Sequence, residues 1–234
     1  MARPAALRAL DREIVECRAC PRLVEWREQV AHEKRAAFRG DTYWGRPVPG
    51  FGDARARVLV AGLAPAAHGA NRTGRVFTGD RSGDFLFASL HRTGFANQPT
   101  SVSADDGLEL RDLYITAAVR CAPPANAPTP AERDACLPYL VRELDLLARV
   151  RVVVVLGAFA YEAVARGLGA AGSPLPTPRP KFTHQLEVPT ARALVLGCFH
   201  PSQQNTFTGK LTEPMIDDVF LRARALAEAV PSRP

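Results

Sequence analysis

The sequence has no long apolar run, no recognisable leader and no standard phosphate-binding loop. No stretch approaches the about 20 consecutive apolar residues of a membrane helix, and the amino terminus lacks the basic, apolar and small-residue order of a secretion signal. The expectation is a cytoplasmic protein with no membrane partner. The glycine-containing loop from Gly62 to Asp80 has neither the Lys-Ser/Thr ending of a P-loop nor a G-x-G-x-x-G, so a nucleotide-phosphate enzyme is disfavoured. No internal repeat is present. Cysteines number only five, and in a reducing compartment they are expected to be ligands or core residues rather than disulfides.

What is present is a 234-residue chain with 47% apolar and 23% charged residues, the balance of one globular domain with one core. Arginine supplies most of the net charge of +6. Arg55, Arg57, Arg72, Arg75, Arg81 and Arg92 lie in or near a single stretch, which favours a phosphate-bearing partner. The same arginine-, alanine- and proline-rich composition also accompanies a GC-rich genome, so charge alone does not decide.

Val58-Leu59-Val60-Ala61-Gly62 reads as a buried parallel strand that stops at Leu63-Ala64-Pro65 and opens into a loop of small, polar and basic residues. Before it, the periodicity of Leu7, Leu10, Ile14 and Val15 predicts a short helix ending at Cys17-Arg18-Ala19-Cys20, with Pro21 read as a helix stop. Residues 26–52 are expected to be loop. Asp80 or Ser82 can cap a helix with Phe85, Leu86, Leu90 and Phe95 on its apolar face. A strand over Leu113–Val119 runs into a proline-stiffened loop, and Thr129-Pro130-Ala131-Glu132 forms a capping box opening a further helix. Val152–Gly157 is a third strand, Ala158–Gly167 a helix ended by glycine, and Arg192–Phe199 a fourth strand. The last helix carries Met215, Ile216, Val219, Phe220, Ala223 and Leu226. Alternating strands and helices predict an α/β fold, three-layer αβα with a central four-stranded, mostly parallel sheet. One domain spans 1–234: an N-terminal segment and loop over 1–52, then sheet and helices over 53–230. Strand-end loops can converge at one sheet edge, where ligands of open α/β sheets sit.

The cysteines divide into four and one. Cys17 and Cys20 form a C-x-x-C pair, Cys121 leaves a strand, Cys136 sits in the early turns of the next helix, and Cys198 lies in an apolar strand as core. Four thiolates suit tetrahedral or cubane ligation, and spacing does not separate zinc from iron-sulfur. His200 stands at a strand end before Pro201-Ser202, at the rim of the sheet. Ser202 to Lys210 is rich in amide and hydroxyl groups and lacks negative charge, which suits phosphates and displaced bases.

With these pieces in place, the sequence resembles the uracil-DNA glycosylase superfamily, and within it the iron-sulfur family five, or type b, branch. The matching residues are the run from Gly62 to Arg75, Phe77-Thr78-Gly79-Asp80, Arg120-Cys121-Ala122-Pro123-Pro124-Ala125-Asn126 and His200-Pro201-Ser202-Gln203-Gln204-Asn205. The resemblance spans Cys17 to at least Asn205. It implies a structural [4Fe-4S] cluster held by Cys17, Cys20, Cys121 and Cys136, with 1–52 as the cluster-binding segment. It implies that the loop from Gly62 stands at the water-activating motif, with Gly62 and Ala64 binding substrate, and Phe77 as the aromatic on which a flipped base stacks. His200 matches the donor to the base carbonyl, Asn126 the holder of the catalytic water, and Asp80 is a second polar candidate. Gln203, Gln204 and Asn205 are expected to enter the DNA stack. Other branches carry an acidic or amide residue where this chain has Leu63 to Ala66, and a base-reading asparagine where it has Ala117. The implied activity is release of uracil, with hypoxanthine and xanthine as further substrates, from single- or double-stranded DNA carrying deaminated bases, by a monomer. The alternative is a non-catalytic iron-sulfur protein that binds DNA.

Overall fold

A computed structural model describes residues 4–229. Residues 1–3 and 230–234, the ends of the expected domain, lie outside the described residues. Six strands, β1 (Phe51–Gly52), β2 (Val58–Gly62), β3 (Leu113–Ala117), β4 (Val152–Leu156), β5 (Glu187–Pro189) and β6 (Leu194–Cys198), form one sheet in the order β1-β3-β2-β4-β6-β5. The four inner strands are parallel, with Val60 opposite both Ile115 and Val154.

All residues of β2, β3 and β4 are buried, because helices cover both faces. That double burial is why these strands read as unbroken apolar runs instead of alternating ones. On one face Val58, Val60, Ile115 and Val154 pack with Leu86 and Leu90 of α4 (Arg81–Arg92) and with Ile216, Val219 and Phe220 of α8 (Glu213–Ala229). On the other, Leu59, Ala61, Val153 and Val155 meet Leu140 and Leu144 of α5 (Pro130–Leu146), Val164 and Leu168 of α6 (Ala158–Ala170), and Leu7 of α1 (Ala5–Val15). The expected three layers are there.

The structure differs from the sequence expectation in countable ways. The sheet has six strands, not four, because β1 and β5 add antiparallel edges to β3 and β6. Pro21 starts a helix, α2 (Pro21–Glu33), with Cys20 as its N-cap. Proline at the first helical position has no N–H to lose and a φ already suited to helix. The first part of the expected loop over 26–52, up to Glu33, is therefore helix, seated through Leu23, Val24, Arg27 and Val30. Gly167 does not end α6: a Cβ there would stand 3.3 Å from Leu140, so the glycine lets α5 and α6 pack closely. Two caps are as expected: Asp80 accepts from the Gly83 N–H at 3.0 Å, and Thr129 and Glu132 make a reciprocal capping box.

The arginines of the opening stretch are mostly committed within the fold. Arg57 pairs with Asp112 at 2.6 Å, Arg72 with Asp41 at 2.8 Å, Arg75 with Asp106 at 2.8 Å and Arg92 with Asp217 at 2.7 Å. These pairs leave fewer free guanidinium groups for a phosphate than the net charge suggests.

Candidate active site

The carboxyl ends of β2, β3, β4 and β6 share one edge of the sheet, and the loops after β2, β3 and β6 line a cavity of about 640 Å³. After β2 it is lined by Leu63, Ala64 and Ala66, then by Phe77, Asp80, Arg81 and Ser82. Ala125 and Asn126 come from the loop after β3, and His200, Ser202, Gln203 and Gln204 from the loop after β6.

Phe77 is held in an unusual backbone state, φ 52°, which is rare for a bulky residue and persists only where surroundings enforce it. Two glycines do so. A Cβ on Gly62 would lie 2.6 Å from Phe77 Cε2, and one on Gly83 would lie 1.9 Å from the Phe77 carbonyl oxygen. The ring therefore rests on the bare end of β2. Arg75 steadies the loop from behind, donating to Thr78, to Ser101 and to the Asp106 carboxylate.

His200 faces Phe77 with ring centroids 6.1 Å apart. Burial lowers its pKa from 6.5 to about 4, so the ring is neutral at physiological pH. Its approach is permitted by Gly157 at the end of β4, where φ is 93° and a Cβ would stand 3.3 Å from His200 Cβ. Asp80 gives one oxygen to the cap of α4 while the other abuts Gly69. Burial raises its pKa, opposed by the Gly83 and Ser82 main-chain N–H groups. Asn126 is exposed at the cavity mouth with φ 55°, following Ala125 at 52°. Asparagine tolerates the left-handed region; alanine there is strained.

A family model described as the uracil DNA glycosylase superfamily matches residues 49–224, a span that contains every one of these cavity residues. The chain belongs to the uracil DNA glycosylase superfamily. It is 56% identical over 220 residues to the type-5 uracil-DNA glycosylase of Mycobacterium bovis, covering 93% of this chain and 81% of that protein. To the type-5 enzyme of Thermus thermophilus it is 51% identical over 225 residues, covering 93% and 99%. Similarity to the type-4 uracil-DNA glycosylase of Archaeoglobus fulgidus is lower, 32% over 152 residues, covering 64% and 59%.

In this superfamily member, seven of the residues singled out from the sequence line one cavity: Ala64, Phe77, Asp80, Asn126, His200, Gln203 and Gln204. Gly62 lies beneath Phe77 and acts through it. Asn205 turns back, its Nδ2 donating to the His200 carbonyl at 2.8 Å, so it braces the loop rather than lining the cavity. The loop from Ser202 is partly a short helix, α7 (Gln203–Phe207). Sequence reasoning passed over Phe207, which is 68% exposed with the Arg81 guanidinium 5.6 Å from its ring centre. It also passed over the buried pair of Arg120 with Glu143, whose carboxylate also accepts from Thr116 at 2.6 Å.

None of the cysteines lines the cavity, but Ala64, which does, packs against the apolar cluster that holds Cys121 and Cys136. Cys121 and Cys136 are buried and Cys20 packs against them with Leu23 and Val119. Arg27, 2% exposed, donates to Cys121 Sγ at 3.0 Å. Burial first, and then the neighbouring Cys17, push the Tyr139 hydroxyl pKa up. Among the described residues no group of three or more His, Cys, Asp or Glu side chains forms a ready site for a metal ion. No helix of the described residues is long and apolar enough to cross a membrane.

A Gly62→Ala substitution tests the seat of Phe77. The added methyl must push the ring into the cavity, and displacement of about 1 Å near a reacting group costs about 10²-fold in rate. Turnover is expected to fall by that order while melting temperature changes little; an unchanged rate would show that the ring does not position anything.

Proposed function

We propose that the chain is a DNA-repair glycosylase that hydrolyses the N-glycosidic bond of uracil in DNA, and of other deaminated bases such as hypoxanthine and xanthine, leaving an abasic site. The observation that carries the reading is the meeting, in one cavity, of Phe77, Asp80, Asn126 and His200 from three separate strand-end loops. The type-5 relatives bear the name of this activity over nearly the whole chain.

Cutting the bond leaves positive charge on the sugar and negative charge on the base. The base must first leave the stack, and the pocket must supply a flat surface, a hydrogen-bond donor at the base oxygen and a placed water. Phe77 is the flat surface. Neutral His200 donates where charge appears only in the transition state, within a partly dry pocket that strengthens the bond. Asn126 holds the water at the mouth, and Asp80, the one carboxylate among the lining residues, is the candidate to take its proton. Gln203 and Gln204 at the rim occupy the space the base vacates.

Cys17, Cys20, Cys121 and Cys136 would hold a [4Fe-4S] cluster. Four sulfur donors beside a buried arginine suit an anionic group, and cubane thiolates each bind their own iron instead of closing round one ion. The cluster's contribution would be to tie the N-terminal segment to the Cys121 loop, since hydrolysis moves no electrons. In this reading the protein works as a monomer in the cytoplasm.

The test is release of free base from duplexes carrying uracil, hypoxanthine or xanthine, beside iron and sulfide analysis. Salt-sensitive DNA binding without base release would favour the non-catalytic alternative. Zinc without iron would overturn the cluster.

A further inference from the structure

The antiparallel pairing of β5 with β6 extends along the segment before β5. Gly197 N–H donates to the Leu186 carbonyl, and the Gln185 N–H to the Gly197 carbonyl, both at 2.7 Å. This approach depends on the bare glycine, because a Cβ on Gly197 would lie 2.3 Å from the Thr183 carbonyl oxygen. Two residues further along, the Phe199 N–H finds a side chain instead of a carbonyl: it donates to His184 Nδ1 at 3.2 Å. An imidazole that accepts at Nδ1 is neutral and carries its proton on Nε2.

The His184 ring is also stacked on the Phe199 ring, with centroids 5.0 Å apart and planes at 24°. Its Nε2 is enclosed and has no hydrogen-bond partner. The imidazole is thus fastened to the main chain of Phe199 and to little else. The next residue is His200.

We propose that His184 is a positioning residue for His200: by accepting from the Phe199 main chain it fixes the direction in which the chain leaves β6, and so sets where the His200 ring meets the base. The proposal rests on the glycosylase reading above. Asn205 holds the same turn from the other end, through the His200 carbonyl. His200 is then clamped by one hydrogen bond before it and one at its own carbonyl, neither of which touches substrate.

The test compares two variants of the full chain. His184→Phe keeps a stacking ring and removes the acceptor; His184→Asn offers Oδ1 to the same N–H. Single-turnover release of uracil from a duplex, Kd for that duplex, and the ring nitrogen NMR signals of His200 are measured. For His184→Phe the expected result is a rate lowered by about tenfold or more, unchanged Kd and displaced His200 signals, with most of the rate restored in His184→Asn. A wild-type rate with unmoved His200 signals in His184→Phe overturns the proposal, as does a His184→Asn enzyme no faster than His184→Phe. Should His184→Phe not fold, His184→Ala removes the acceptor without bulk and serves the same comparison. A wild-type protein that releases no base would sink the glycosylase reading, whereas the His200 signals report the coupling independently.

Discussion

His200→Ala is expected to release uracil about 10²–10³-fold more slowly than the wild type, the usual cost of deleting one donor to a developing negative charge. Duplex affinity should barely change, because the bond forms fully only as the base becomes anionic. His200→Asn, which keeps a neutral donor, should recover part of the loss. The same variant has a signature in stability. Burial lowers the His200 pKa from 6.5 to about 4, so the unfolded chain binds a proton that the native state refuses. This group's contribution to stability is fully present above 6.5 and is lost as pH falls towards 4. The alanine variant lacks that slope, and its melting temperature should decline less than that of the wild type across this window. A wild-type rate would remove the proposed role, and parallel pH profiles would show that the ring is not desolvated.

The second large effect belongs to a residue outside the cavity. Glu143 is fully buried on α5 and takes hydrogen bonds from Thr116 on β3 and from Arg120 just after it. Arg120 is 1% exposed. Glu143→Ala would leave that guanidinium buried and uncompensated, at a cost of about 3–5 kcal/mol, or about 10 °C in melting temperature for a domain of this size. Replacing both, as Arg120→Met with Glu143→Leu, should cost much less, since no lone charge remains. Equal losses in the single and double variants would mean that packing, not charge, is at stake. Because Arg120 precedes Cys121, loosening this pair also frees the chain that leads to Asn126.

Elements buried on both faces were legible from sequence, since a parallel strand such as Val152–Leu156 must be apolar at every position. The two caps were legible because each uses local chemistry, Asp80 with Gly83 and Thr129 with Glu132. The edge strands Phe51–Gly52 and Glu187–Pro189 were not, being too short to show periodicity and defined only by their partners. Pro21 was misread because proline stops one helix and starts another by the same missing N–H. Most cavity residues were identified through resemblance, because loops carry no periodic signal. Glu143 and His184 escaped notice for a different reason: on a linear chain each looks like the polar residue of an exposed face, and its partner lies far away.

The strand order has a consequence for the growing chain. The cavity takes its walls from residues 63–82, 125–126 and 200–204, and β6 must dock beside β4 before His200 can face Phe77. A ribosome-bound chain stopped short of β6 holds Phe77 and Asn126 but no donor for the base, and a neighbourless β4 edge as well. Activity therefore arrives late in synthesis, no earlier than the docking of the last inner strand.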